Sequence, residues 1–342
     1  MDETLLAPLE WRGDVESGAL WLLDQRLLPR EERWLHCRTP GEVAEAIRDM
    51  AVRGAPAIGL AAAYGMVLAA RGGAGALERI DEARRLLAAT RPTAVNLAWA
   101  LGRLDEAART EPSPGALLAV ARTLHDEDVA GNRHIAELGA ARIENGMGIL
   151  THCNAGALAT GGVGTALGVV ALAHRQGKRI HVYVDETRPL LQGARLTAWE
   201  LGRRRVPHTL VCDSAAASLM ARGRVQFVVT GADRIAANGD VANKIGTYGV
   251  ALAAAYHHIP FHVAAPASTF DLALADGRGI PIEERDESEI AVCGGARISP
   301  RSTRAFNPAF DVTPAALIRS IFTDRGEIAP VEPGPISRVV GG

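Results

Sequence analysis

Two hydrophobic periods divide the chain. Up to about residue 145, apolar positions recur at helical spacing, which gives each segment one buried stripe. The segment TPGEVAEAIRDMAV from Thr39 adds a start signal, a threonine cap with proline behind it. Further helices are predicted over 56–71, 76–89, 94–110 and 114–145. From Gly148 the period changes, and short β-rich runs alternate with segments of helix length: GILTHCN, RIHVYVDE, HTLVCD, VQFVVTGAD and FHVAAP. Five such runs predict a parallel sheet wrapped on both faces. The chain therefore reads as α/β, with an N-terminal mainly helical domain over 1–130 and a Rossmann-like parallel-sheet domain over 131–342. A long helix is expected at the junction. The proline-containing tail after Ile328 is expected to wrap the surface or fray.

Composition narrows the partners. The chain has 342 residues, enough for a large core and two domains, and a formal net charge of −2. Nothing in that charge marks a nucleic-acid or acidic-membrane surface, so a small-molecule partner is expected. The four cysteines, Cys37, Cys153, Cys212 and Cys293, lie far apart with no CxxC spacing. With no signal peptide at MDETLLAPLEW, they predict free thiols in a reducing cytoplasm. No apolar run reaches the roughly 20 residues of a membrane span.

Candidate chemistry gathers at strand ends. Ligands of open parallel sheets collect at the carboxyl ends of strands, and Cys153 sits where the strand before it runs into the glycine-rich GALATGGVGTALG. Most free cysteines are simply small buried hydrophobes. His152, Asn154, Gly156 and a nearby helix start raise Cys153 above that reading and are expected to lower its pKa. A regular strand would turn His152 and Cys153 to opposite sides. Asp233 ends a second strand in a small apolar neighbourhood that favours its neutral form, as a general acid needs. Asp240, in the turn NGD, reads as a helix N-cap. Lys244 and Lys178 are the chain's lysines among 37 basic residues, and a lysine kept in an arginine-writing chain suits a compact charge for phosphate or a sugar hydroxyl. Arg53 and Gly54 precede Pro56 at a helix start, where free amides and a guanidinium fit phosphate; the bland alternative is a turn into an apolar helix. Arg91, alone, reads as an exposed loop arginine. GGVGTALG followed by Asp185 invites a dinucleotide reading and hence an NAD-dependent oxidoreductase, although the glycine spacing is off and a thiol stands where bare backbone is needed. No His and carboxylate group has metal-ligand spacing.

Taken together, AEAIRDMAVRGAPAIG from Ala44, TRPTAVNLAWAL from Thr90, THCNAGALAT from Thr151, VYVDETRPLLQGARLTAWEL from Val182 and TGADRIAANGDVANKIGTYGVAL from Thr230 resemble the methylthioribose-1-phosphate isomerases of methionine salvage. These are relatives of the regulatory subunits of a eukaryotic translation-initiation exchange factor. The likeness covers nearly the whole chain, including LLDQRLLP from Leu22 and FNPAFDVTPAALI from Phe306. It implies that Cys153 and Asp233 are the catalytic pair and that Arg53, Gly54, Ala55, Arg91, Gln192, Asn243 and Lys244 hold the substrate. It also implies no cofactor, no metal and a homodimer. The exchange-factor relatives share the fold as binding proteins expected to lack the pair. A phosphate on the anomeric oxygen blocks spontaneous ring opening, so the implied reaction needs an acid at the ring oxygen, an anchored phosphate and a water-poor pocket. Two routes stay open for Cys153: a base through an enediol, or a stabiliser of a direct hydride shift. A sister activity on ribose 1,5-bisphosphate would need a second anion site; Arg188, Arg195 and Arg234 are expected instead to pair with acidic neighbours such as Glu186.

Overall fold

A computed structural model describes residues 6–92 and 94–341. The chain opens on an antiparallel ribbon, β1 (Leu9–Arg12), β2 (Ala19–Leu23) and β3 (Trp34–Cys37), and continues through α1 (Pro40–Arg48), α2 (Ala55–Ala69), α3 (Ala76–Ala88), α4 (Val95–Thr110) and α5 (Pro114–Ala140). The ribbon was not expected in a helical region. Its strands are four or five residues long, too short to declare a period, and they order against α2. Thr39 caps α1 as read: its hydroxyl accepts from Glu42 N while Glu42 reaches back to the Thr39 amide at 3.0 Å. α2 is apolar on every side and buried from Ala57 to Ala69, and α1, α3, α4 and α5 surround it.

The second half is a seven-stranded sheet built from β4 (Gly148–Thr151), β5 (His181–Asp185), β6 (His208–Val211), β7 (Phe227–Thr230), β10 (Phe261–Ala264), β15 (Ser320–Thr323) and β16 (Gly326–Ile328). The order is β16-β15-β10-β7-β4-β5-β6, parallel except for β16. The five predicted strands lie in it, and β15 and β16 extend it. Along β7, Phe227 and Val229 face the core beside α5 and α6 (Ala166–Arg175). Val228 faces the other core, shared with α8 (Ala216–Ala221) and α9 (Thr247–Tyr256), while α7 (Ala198–Arg203) adds Leu201 to the first. Both faces are thus covered, which is why β4, β7, β10 and β15 are buried throughout.

A smaller sheet, β11-β8-β9-β14, lies beyond the carboxyl ends: β8 (Arg234–Ala236), β9 (Val241–Lys244), β11 (Phe270–Asp271) and β14 (Phe310–Thr313). A two-stranded ribbon, β12 (Val292–Cys293) and β13 (Ala296–Arg297), follows the short α10 (Ser288–Ala291). The NGD turn therefore joins two antiparallel strands rather than opening a helix. Asp240 does satisfy amides, but distant ones, Gly277 N at 3.0 Å and Ala315 N at 2.9 Å. The tail neither frays nor lies loose: α11 (Pro333–Val340) buries Ile336 and Val340.

β4 comes first in the sheet by chain order; β5 and β6 extend it one way, β7, β10 and β15 the other. Connections leaving β4 and β7 therefore diverge between neighbouring strands. That divergence opens a crevice at their carboxyl ends, the place where such sheets bind ligands.

Candidate active site

Cys153 and Asp233 leave β4 and β7 at this crevice, and every residue assigned to catalysis or substrate by the resemblance lines it: Arg53, Gly54, Ala55, Arg91, Gln192, Asn243 and Lys244 as well as the pair. The cleft is open to solvent and spans about 850 Å³ counted out to its water-filled mouth. It lies between the helical part and the sheet.

β4 ends at Thr151, and Cys153 takes a left-handed conformation with φ of 66°. That backbone is held on both sides, its amide donating to Thr187 Oγ1 at 2.8 Å and its carbonyl accepting from Thr197 Oγ1 at 2.6 Å. A strained residue fixed so firmly is common at functional sites. The break in the strand also brings His152 and Cys153 to the same cleft, which a regular strand would forbid. His152 is buried, with Nδ1 3.1 Å from Asp185 Oδ2 and Nε2 2.8 Å from Ile245 O. Both ring nitrogens meet acceptors. Burial opposes the charge, but Asp185 outweighs it and raises the His152 pKa.

The expected lowering of the Cys153 pKa is overturned. Burial raises it, and the nearby charges of Arg53 and Lys244 offset this only in part. Asp233 behaves as expected of a general acid: burial raises its pKa against the pull of Lys244, Arg91 and Arg53. Lys244 has the matching perturbation, lowered by burial although Cys153 and Asp233 favour its charge. These three groups share one electrostatic field. Lys244 Nζ donates to Ala309 O at 2.8 Å and sits 4.4 Å from the Phe310 ring centre.

Arg53 is aimed by its neighbours. Its Nη2 donates to the Asn154 carbonyl at 2.7 Å and to Asn154 Oδ1, while its buried Nε has no partner among the described residues. Asn154 is in turn oriented through Nδ2, which donates to Glu200 Oε1 at 2.9 Å and Thr197 Oγ1 at 3.2 Å. Gly54 caps α2 with φ of 94°, and a Cβ there would lie 2.5 Å from Ala159 Cα, so only glycine fits. The first amides of α2, at Ala55, thus open onto the cleft, where an anion is favoured. Gln192 begins a π-helical turn, Gly193–Thr197, and its buried Oε1 also lacks a partner among the described residues. Asn243 Nδ2 donates to Thr247 Oγ1 at 3.0 Å, and Arg91 lies 3.6 Å from Glu283. An unpartnered donor on Arg53 and an unpartnered acceptor on Gln192 fit a ligand carrying both phosphate and hydroxyl groups.

Sequence reading missed Arg285, Met50 and Phe310, which also line the cleft. Arg285 is engaged with Glu283 at 2.8 Å and with Glu289. Its place in IPIEERD was the available signal, but its partners are set by folding. The dinucleotide alternative fails on the loop itself: Gly161 N donates to Asp128 at 2.6 Å, and Gly164 N to Thr160 Oγ1 at 3.1 Å. The amides of a pyrophosphate cradle are spent. Asp185, its supposed ribose partner, is buried behind His152. Folding does bring His152, Asp185 and Asp213 within 4.8 Å, but Asp213 accepts from Thr187 N and Arg188 N, both at 2.7 Å. Of the remaining arginines, Arg234 pairs with Asp271 at 3.5 Å. Arg188 and Arg195 differ from expectation, donating to the carbonyls of Ile290 at 2.9 Å and Gln25 at 2.7 Å.

Residues 51–330 match the initiation factor 2 subunit family. A methylthioribose-1-phosphate isomerase from Pelotomaculum thermopropionicum is 55% identical over 337 residues, covering 95% of this chain and 92% of its own. The crystal structure of 5-methylthioribose 1-phosphate isomerase from Pyrococcus horikoshii OT3 superposes with a TM-score of 0.92 at 41% identity, covering 99% and 97% of the two chains. A structure titled translation initiation factor eIF-2B, subunit delta, from A. fulgidus gives 0.87 at 42% identity, covering 98% and 100%. A likeness of this extent, with a thiol, an acid and four basic side chains in one crevice, places the chain in the initiation factor 2 subunit family and, within it, among the methylthioribose-1-phosphate isomerases.

Proposed function

We infer that this protein converts 5-methylthio-D-ribose 1-phosphate to 5-methylthio-D-ribulose 1-phosphate in methionine salvage, as an aldose-ketose isomerase. The observation that carries the mechanism is the meeting of Cys153 and Asp233 at the sheet's switch point, among Arg53, Arg91 and Lys244. The cations, the Ala55 amide and Arg53 Nε supply a phosphate anchor. Gly54 permits the close approach, and Gln192 and Asn243 serve the sugar.

Asp233, held neutral by burial, gives its proton to the ring oxygen. The bond from C1 to that oxygen breaks with its electron pair going to the oxygen, leaving a phosphorylated oxocarbenium at C1. Hydrogen then moves from C2 to C1 with its electrons, and the proton on the C2 hydroxyl leaves as the carbonyl forms. The carboxylate left on Asp233 is the base available for that proton. C1 is reduced and C2 oxidised within one molecule, so the chemistry draws on no external oxidant. A thiol kept neutral at Cys153 favours this shift over abstraction of a C2 proton by a thiolate.

Incubation with methylthioribose 1-phosphate and no added cofactor is expected to yield the ketose phosphate. An absolute requirement for NAD would overturn the assignment. The likeness to the A. fulgidus structure, described as a translation initiation factor subunit, favours a second reading, a noncatalytic exchange-factor-like binder, for which ligand binding without turnover would speak.

The same proposal takes the protein to be a cytoplasmic homodimer. Tyr248, Leu252 and Tyr256 form an exposed apolar stripe along α9, in support of a dimer, and sedimentation as a monomer at micromolar concentration would contradict it. Free cysteines support a reducing compartment, and among the described residues no helix is long and apolar enough to cross a membrane. The division at residues 130 and 131 is supported by α5, whose Leu124 joins the helical core and whose Ile135 joins the sheet's core.

A further inference from the structure

His152 lines the cleft beside Cys153, yet no step of the isomerisation uses it. The side chain is only 1% exposed, and both ring nitrogens are occupied. The Ile245 carbonyl, 2.8 Å from Nε2, can only accept, so Nε2 carries a hydrogen. Nδ1 stands 3.1 Å from the carboxyl of Asp185, so a proton lies between those two groups, whichever of them holds it. Asp185 thereby orients the ring and keeps Nε2 a donor.

The carbonyl that His152 holds belongs to the residue after Lys244. Ile245 is pinned through both of its backbone groups, its amide donating to Ala309 O at 3.1 Å and its carbonyl accepting from His152. On the other side of Asn243 and Lys244, the Asp233 amide donates to Ala242 O at 2.9 Å. The ends of β4 and β7 therefore grip β9 on either side of these two residues, one through the His152 ring and the other through the Asp233 backbone. Gly246 then closes on the ring: with φ of 105°, a Cβ there would lie 2.7 Å from His152 Cε1. We propose that His152 is a positioning residue of the isomerase, which through Ile245 sets Asn243 and Lys244 against Cys153 and Asp233. This rests on the isomerase reading.

Two substitutions in the full chain separate this role from a structural one. The side-chain nitrogen of asparagine matches Nδ1 of histidine, and that of glutamine matches Nε2. His152→Asn can therefore still serve Asp185 but not Ile245. His152→Gln can serve Ile245 but leaves a buried carboxyl unpaired, the costlier loss for folding. Thermal unfolding should accordingly place His152→Asn above His152→Gln in stability, while KM for methylthioribose 1-phosphate should order them the other way. The effect falls on KM because Asn243 and Lys244 hold the substrate rather than react with it. His152→Asn is expected to raise KM at least about fivefold, the factor that corresponds to a typical hydrogen bond, and His152→Gln less than about twofold. KM does not depend on the folded fraction, so a destabilised variant still reports. Gly246→Ala, which pushes the turn off an intact ring, is expected to raise KM as His152→Asn does, and it carries the test where a histidine variant fails to fold. KM values that follow the stability order or do not differ, or a wild-type KM in Gly246→Ala, would overturn the positioning role and leave the isomerase reading intact. A wild type inactive on methylthioribose 1-phosphate would instead sink that reading, and the role with it.

Discussion

Replacement of Glu200 is expected to cripple phosphate binding although the residue does not line the cleft. Its carboxylate is fully buried and accepts from Asn154 Nδ2 at 2.9 Å, Ala157 N at 2.8 Å and Leu158 N at 3.3 Å, with Arg204 3.7 Å away. By engaging Nδ2 it turns Asn154 Oδ1 toward Arg53. In Glu200→Ala only the longer bond to Thr197 Oγ1, at 3.2 Å, still holds Nδ2, and an Asn154 flip would set an NH₂ against the guanidinium. Loss of one hydrogen bond to a charged group costs about 1.5–3 kcal/mol, which corresponds to roughly a 10- to 150-fold fall in kcat/KM. The change should fall chiefly on KM, because a phosphate anchor acts on substrate and transition state alike. Glu200→Gln retains one oxygen that can hold Asn154; it should lose stability, on the order of 1–3 kcal/mol for an unpaired amide, but keep most of the activity. Steady-state kinetics with thermal unfolding of each variant separates the two effects. In an Arg53→Ala background, Glu200→Ala should add little, since its action runs through Arg53. Wild-type KM in folded Glu200→Ala, or full additivity with Arg53→Ala, would refute the reasoning.

Asp233→Asn is expected to reduce turnover at least about a hundredfold, the lower range for a positioned acid or base, and Cys153→Ala, which removes the neutral thiol at the reacting cleft, by a similar factor, while Cys293→Ala leaves it near normal. Near-normal rates in either folded variant would remove that residue from the mechanism. Substrate deuterated at C2 should give product carrying the label at C1; complete exchange with solvent would favour the enediol route. Raised by burial, the Cys153 thiol should react with iodoacetamide at neutral pH more slowly than a free thiol, and fast labelling at that residue would show a thiolate. Asp128, whose pKa burial pushes up to about 7, supplies a test of linkage. Its unfolded form ionises near 4, so the folded state holds the proton more tightly and stability falls as pH rises from about 4 to about 7. Asp128→Asn can still accept from Gly161 and Asn132, so it should flatten that decline and stabilise the protein at pH 8 by on the order of 1–2 kcal/mol, discounted because the carboxyl keeps some surface in water. An unchanged pH profile by thermal unfolding would contradict this.

Local signals were readable wherever neighbours along the chain do the work. The capping box at Thr39, the glycine and proline that start α2, and the β-rich runs of the sheet each depend on residues within a few positions, so sequence alone located them. The placement of the candidate site residues in one cleft was readable too, because Cys153 and Asp233 take their positions from the strands they follow. Long-range pairing was not readable. The NGD turn has the composition of a helix start, and only the antiparallel partner of β8, together with distant amides for Asp240 to satisfy, made it a hairpin. α11 looked like a loose tail until the core offered Ile336 and Val340 a place to bury. Glu200 carried no local mark, since its meaning lies in partners such as Ala157, 43 positions away, and the motif around Arg285 could not show that the side chain reaches a cleft shared with Met50, 235 positions away. The protonation of Cys153 was decided by tertiary structure as well. Flanking residues suggested a lowered pKa, but desolvation depends on how much protein closes around the thiol, and in this fold it exceeds the pull of Arg53 and Lys244.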